Sequence, residues 1–200
     1  MNKSVKEKIW KIILSHGTGW GFCAKDFLAD FKRNDIDTAL FTLEQSGKIR
    51  KVCRGIYDYP MYSELLQKHV APDLDRVAET IARSLRHEIQ PTGNAALNFL
   101  SVSTQVQSQC IYLWDGRSQD FEVGNQTIHF KSAPRKDFSP KLLQSRLVVQ
   151  ALRLIGSSGL SEETKRTIQK NYPSELWKQI RTDTMQVPNW IHQQICELAK

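Results

Sequence analysis

Gly47-Lys48-Ile49-Arg50-Lys51-Val52-Cys53-Arg54-Gly55-Ile56-Tyr57-Asp58-Tyr59 is the stretch that decides how this chain folds. Residues 48–52 and 55–59 each alternate in part between apolar and polar side chains, and Cys53-Arg54-Gly55 between them supplies a turn. That pattern predicts a β-hairpin. Lys48, Arg50, Lys51 and Arg54 place four cations within seven residues of it.

Moving toward the N-terminus, Ile36, Ala39, Leu40 and Leu43 recur at helical spacing until Gly47. The polar Lys32-Arg33-Asn34-Asp35 precedes them, and Asn34 or Asp35 is suited to cap that helix. Ala24, Phe27, Leu28 and Phe31 predict another helix, after a short strand or extended link at Gly19-Trp20-Gly21-Phe22-Cys23. Ser4 and Glu7 have capping-box spacing. They open a helix striped by Val5, Ile9, Ile12 and Ile13 and stopped by the glycines of His16-Gly17-Thr18-Gly19.

Helix, short strand, helix, helix and hairpin within about sixty residues is the order of a winged helix-turn-helix, expected over residues 1–60. In that fold the third helix enters the major groove of double-stranded DNA. Arg33, Asn34, Asp37, Thr38 and Thr42 would be its outward residues. Lys48, Arg50, Lys51 and Arg54 would sit on the wing beside phosphates, giving affinity and salt dependence but not sequence choice. Asp35 and Asp37 oppose an anionic partner, but they suit the helix dipole or accept from a cytosine amino group. A winged helix also serves as a protein-interaction module without DNA binding, and this alternative stays open.

The net charge of +7 suits an anionic partner. Residues 1–59 hold 11 Lys or Arg against 7 Asp or Glu, and residues 60–200 hold 17 against 14, so the excess is concentrated near the wing. Hydrophobic content of 40% and charged content of 24% are ordinary for a globular chain. No stretch approaches the roughly 20 apolar residues that span a bilayer, so no membrane association is expected. The basic N-terminal run is interrupted by Lys6, Glu7, Lys8 and Lys11 and lacks a small-residue cleavage site, which predicts a cytoplasmic protein rather than an exported one. The four cysteines are far apart and form no CxxC pair, so neither a disulfide framework nor a zinc site is expected.

The helix end Leu43-x-x-x-Gly47, the basic strand, and Arg54-Gly55-Ile56-Tyr57 together resemble the N-terminal domain of the AbiEi family. These are antitoxins of type IV toxin–antitoxin and abortive-infection systems. Pro91-Thr92-Gly93-Asn94-Ala95-Ala96-Leu97-Asn98-Phe99-Leu100 is similar to a segment of that family's second domain. The resemblance reaches from the N-terminus to about residue 155, and the segment after Ser161 lies outside it. It implies a transcriptional repressor that binds its own promoter through the winged helix. It further implies an antitoxin activity, seated in the second domain, against a nucleotidyltransferase-like toxin. Arg50, Lys51, Arg54 and the reading helix carry over individually; the antitoxin residues do not.

Past Pro60 the chain reads as a connector over 61–72 and then a mixed α/β domain over 73–200. Leu74, Val77, Ala78, Ile81 and Leu85 stripe a helix over 73–87. A short strand at Glu88-Ile89-Gln90 and a brief helix over 94–100 come next. Strands are expected at 109–114, 121–123 and 127–130, and helices at 141–155, 161–170, 174–181 and 190–199, with a break at Gly156-Ser157-Ser158-Gly159. The fold class is α+β, with a small sheet and a helical C-terminus from about residue 141.

Catalytic chemistry is sparse. Asp73-Leu74-Asp75 has the spacing of a nucleotidyltransferase metal pair, but it opens a helix, where acidic residues favour the dipole. No Gly-rich phosphate loop precedes a Lys-Ser or Lys-Thr, and the histidines suggest no metal site. His87-Glu88 reads as a surface helix end. No catalytic residue, cofactor or metal is expected, and an unrecognised enzyme acting on nucleic acid is the remaining alternative.

Overall fold

The hydroxyl of Ser4 accepts from the Glu7 backbone N–H at 3.4 Å and opens helix α1, Val5–His16. The computed structural model describes residues 4–105, 109–157 and 160–200. Residues 1–3 of the expected first domain and residues 158 and 159 of the expected break lie outside them. The chain is α+β and divides into two compact units: Met1–His87 with Asp120–Ile128, and Glu88–Gln119 with His129–Lys200.

In the first unit, Ile9 and Ile13 of α1 are fully buried. Strand β1, Gly21–Cys23, comes next. The helix expected from Ala24, Phe27, Leu28 and Phe31 is instead a single 3-10 turn, Ala24–Phe27. Ala24 and Phe27 are buried but Leu28 is exposed, so the expected stripe never becomes a continuous buried face. The Asp26 carboxylate closes that turn by accepting from the Cys23 backbone N–H at 2.8 Å.

Helix α2, Arg33–Gln45, buries Ile36, Ala39, Leu40 and Leu43 in the core that holds Ile9 and Ile13. Neither Asn34 nor Asp35 caps it. Lys32 holds the cap position in extended backbone, without a side-chain cap bond. The other end stops at Gly47, whose φ of 68° lets Lys48 N–H reach back to Leu43 O at 3.0 Å.

The expected hairpin is strands β2, Arg50–Cys53, and β3, Ile56–Asp58. Arg50 pairs with Asp58, Lys51 with Tyr57, and Cys53 with Ile56, the register shifting by one residue at Val52. β1 adds antiparallel to the other edge of β3, giving the order β1-β3-β2. Trp20 stacks on Phe22, and both meet Phe27 edge to face, with centroids 4.9 to 6.1 Å apart.

The expected connector carries a two-residue strand pair, β4 at Tyr62–Ser63 and β5 at Lys68–His69. Helix α3, Leu74–Leu85, starts at Asp73, whose carboxylate accepts from Asp75 N at 3.0 Å and Arg76 N at 3.3 Å. The expected domain boundary at residue 73 would give this helix to the second unit, but it belongs to the first and packs on β1. Two contacts fix it there. Arg83 donates two hydrogen bonds of 3.0 Å to Asp26. Gly21 lets the helix close in, since a Cβ on it would lie 2.5 Å from Thr80 Oγ1.

Strands β6, Ile89–Pro91, β7, Cys110–Trp114, β8, Gln119–Val123, and β9, Gln126–Ser132, form a four-stranded sheet in the order β6-β7-β9-β8. Within the second unit, helix α4, Gly93–Phe99, lies against α5, Leu143–Ile155. A Cβ at Gly93 would stand 2.8 Å from Leu154 Cβ and 3.0 Å from Gln150 O, so the missing side chain sets how closely the two helices pack. Helices α6, Glu162–Gln169, α7, Ser174–Asp183, and α8, Asn189–Leu198, complete the chain. Val148, Leu152, Ile168, Trp177, Ile180, Ile191 and Ile195 form their shared core. Asp183 caps α5 across space, accepting from Lys141 N and Leu142 N at 2.9 to 3.0 Å.

Candidate nucleic-acid interface

Burying Ile36, Ala39, Leu40 and Leu43 turns the rest of α2 outward, because residues 100° apart cannot all face one core. Arg33, Asn34, Asp35, Asp37, Thr38, Phe41, Thr42 and Gln45 are all exposed. All five residues expected on the reading edge lie there: Arg33, Asn34, Asp37, Thr38 and Thr42. The side chains of four of them, Arg33, Asp37, Thr38 and Thr42, are already engaged within their own helix. Arg33 Nε donates to both Asp37 oxygens, at 3.0 and 2.8 Å, a charge-assisted bidentate pair. This pairing pushes the Arg33 guanidinium further toward its charged form. Thr38 donates to Asn34 O at 2.9 Å, and Thr42 to Thr38 O at 2.8 Å. A hydroxyl folded back on its own helix leaves the γ-methyl as the group the residue presents outward.

Phe41 was absent from the expected edge, yet it is 61% exposed. Its position was readable in advance: an aromatic residue five after Ile36 and two before Leu43 falls opposite the buried stripe. On the helical wheel Asn34, Thr38, Phe41 and Gln45 lie along the middle of the exposed face.

The four cations of the hairpin separate into two kinds. Lys51 and Arg54 are exposed, and Arg54 occupies the turn just before Gly55. Lys48 is exposed as well, with its ammonium 5.3 Å above the Trp10 ring. Arg50 differs. Its Nε donates to Asp58 Oδ1 at 3.0 Å and its Nη1 to Val70 O at 2.9 Å, while the Asp58 side chain is only 5% exposed. Arg50 therefore holds the inside of the hairpin.

Two acidic residues singled out by the sequence have structural roles. Asp73 of the Asp-Leu-Asp sequence caps α3, and Glu88 pairs with Arg146 at 2.8 Å. His192 and Cys196, one turn apart on α8, bring Nε2 and Sγ within 3.5 Å. This pair was not read from the sequence, although its spacing of four was visible. Among the described residues no three His, Cys, Asp or Glu side chains form a group able to hold a metal ion. No helix among them is long and apolar enough to cross a membrane.

The observations define an α+β chain whose first unit joins a three-stranded sheet to an outward-facing helix and a basic hairpin. Residues 8–180 match the model of a family described as a family of unknown function (DUF6088), and the chain belongs to that family. No match was found among curated proteins.

Proposed function

We propose that the first unit is a winged helix-turn-helix that binds double-stranded DNA, with α2 in the major groove and the β2–β3 hairpin as the wing. The observation carrying this reading is the sheet order β1-β3-β2, which ties the hairpin to the strand lying between α1 and α2. That tie holds the exposed cations Lys48, Lys51 and Arg54 at a fixed place relative to α2. They supply the phosphate contacts, and Arg50 stiffens the hairpin beside them.

Fluorescence anisotropy with the duplex upstream of the protein's own gene tests the reading. Each phosphate contact contributes about 0.9 to the slope of log affinity against log salt. Replacing Lys48, Lys51 and Arg54 together by Gln should lower that slope by about 3 and weaken all duplexes alike. An unchanged slope, or no binding at micromolar protein and moderate salt, refutes it.

By its resemblance to the AbiEi family, the protein would repress its own promoter and act as the antitoxin to a nucleotidyltransferase-like toxin encoded alongside it. Growth rescue on co-expression with the neighbouring reading frame is the test. An unrelated neighbour, or no rescue, ends this part of the proposal without touching DNA binding.

A specific feature favours a second reading. α2 carries Asp35, Asp37 and Glu44 against Arg33 alone, and it exposes an aromatic ring. Those properties suit a protein partner docked on α2. Full biological activity after the triple wing substitution would support it.

A further inference from the structure

We infer that α2 selects A·T base pairs, with Phe41 and the methyl groups of Thr38 and Thr42 packing on thymine methyls and with Asn34 and Gln45 addressing adenine. The inference rests on the DNA-binding reading and assigns it a class of target.

Guanine is read chiefly by an arginine or lysine that donates to its O6 and N7. The one cation of α2, Arg33, is clamped at 2.8 and 3.0 Å by the Asp37 carboxylate. Turning it to a base would leave Asp37 uncompensated beside a polyanion. The outward line of the helix offers different chemistry. Asn34 and Gln45 carry amides able to donate to N7 and accept from N6 of adenine, the pairing whose geometry fits adenine alone. Between them the surface is apolar. Both threonine hydroxyls are turned onto backbone carbonyls, and the Phe41 ring stands exposed. Thymine is the only standard base with a methyl group in the major groove, and an apolar side chain is what recognises it.

The dimensions agree. Eleven residues separate Asn34 from Gln45, about 16 Å along the axis at 1.5 Å per residue. That matches about five base pairs at 3.4 Å each. The exposed Phe41 ring offers apolar area at the middle of the outward face. A methyl-bearing groove would cover that area and remove it from water.

The test uses the full chain. Duplexes are selected from a random pool, and the tightest is then remade with deoxyuracil in place of thymine, position by position. Uracil keeps every hydrogen-bonding group and removes only the methyl. Selection should return a run of about five A·T pairs. Each contacted methyl removed should weaken binding by about fourfold. Phe41→Ala should abolish most of that sensitivity while keeping the salt slope, and its unchanged circular dichroism would show that the fold is intact. Asn34→Ala should relax the preference for adenine at one position. A selected site rich in G·C, or equal binding of the thymine and uracil duplexes with the salt slope intact, overturns the inference and leaves DNA binding standing. Failure to bind any duplex overturns both. Loss of a protein partner on Phe41→Ala, with methyl sensitivity unchanged, assigns the ring to that partner and also overturns the inference.

Discussion

Consider Arg50→Met and Asp58→Asn, which break the same ion pair from opposite sides. Arg50→Met strands a carboxylate whose side chain is 5% exposed. Asp58→Asn strands a guanidinium that is 29% exposed, still donates to Val70 O, and still has an acceptor at position 58. Breaking a buried pair by removing one partner costs about 3 kcal/mol at the low end when the remaining charge is dry. Losing charge assistance from a hydrogen bond that persists costs about 1 kcal/mol. Arg50→Met should therefore be the more damaging change by about 2 kcal/mol, a factor of about 30 in the local opening equilibrium. Hydrogen exchange at the backbone amides of Tyr57 and Asp58 reads that equilibrium in the intact chain, where a single global unfolding midpoint would mix two units. Faster exchange confined to the sheet β1-β3-β2, at least tenfold more for Arg50→Met, is the expected outcome. Equal protection in the two variants, or greater loss in Asp58→Asn, would refute the assignment of Arg50 as an internal brace. So would a wild-type exchange pattern accompanied by a reduced salt slope for DNA, since that is how a phosphate contact behaves.

Three further outcomes are expected from the packing. Gly21→Ala places a methyl 2.5 Å from Thr80 Oγ1 and should destabilise the first unit by about 2 kcal/mol. Adding Thr80→Ala should recover most of the loss in a double-mutant cycle measured by urea denaturation. Gly93→Ala meets Gln150 O at 3.0 Å, a backbone atom that cannot swing away. It should lower the thermal midpoint of the second unit even though alanine is the better helix former. For Asp183, burial pushes its carboxyl up, but the backbone N–H groups of Lys141 and Leu142 and the charge of Arg146 outweigh it and hold the pKa below the usual carboxylate value. Its contribution is thus fully present above the unfolded pKa of about 3.9 and is lost as pH falls through the lower folded value. Asp183→Asn should cost about 1 kcal/mol at pH 7 and progressively less below pH 4, measured by denaturant titration across pH.

Much of the first unit was legible because its signals are local. Apolar stripes at helical spacing located α1 and α2. Partial alternation around Cys53-Arg54-Gly55 located the hairpin. Segments governed by distant partners were not legible. The turn at Ala24–Phe27 accompanies Asp26, which is held by Arg83 some 57 residues away. No local period encodes that contact. β4 and β5 are two residues each, too short to show a period. For α3 the stripe was plain, but its destination depended on the bare surface of Gly21. The candidate interface divided in the same way. The exposure of Lys48, Lys51 and Arg54 is a consequence of hairpin chemistry. The capture of Arg33 by Asp37 was visible as an i, i+4 pair. Phe41 went unread because outward positions were sought among polar residues, although the helical phase of Ile36 and Leu43 already pointed it away from the core.

The extra residue at Val52 has a consequence for how such hairpins diversify. Carried back without the shift, the pairing of Cys53 with Ile56 would set Lys51 opposite Asp58 and Arg50 opposite Tyr59. By bulging out of the ladder, Val52 keeps Arg50 rather than Lys51 opposite Asp58. Deleting Val52 would remove the bulge and leave Lys51 opposite Tyr57 and Arg50 opposite Asp58, the same two pairs as now. A bulge at this position therefore lets related chains gain or lose one residue of hairpin length while the same guanidinium stays on the inner carboxylate.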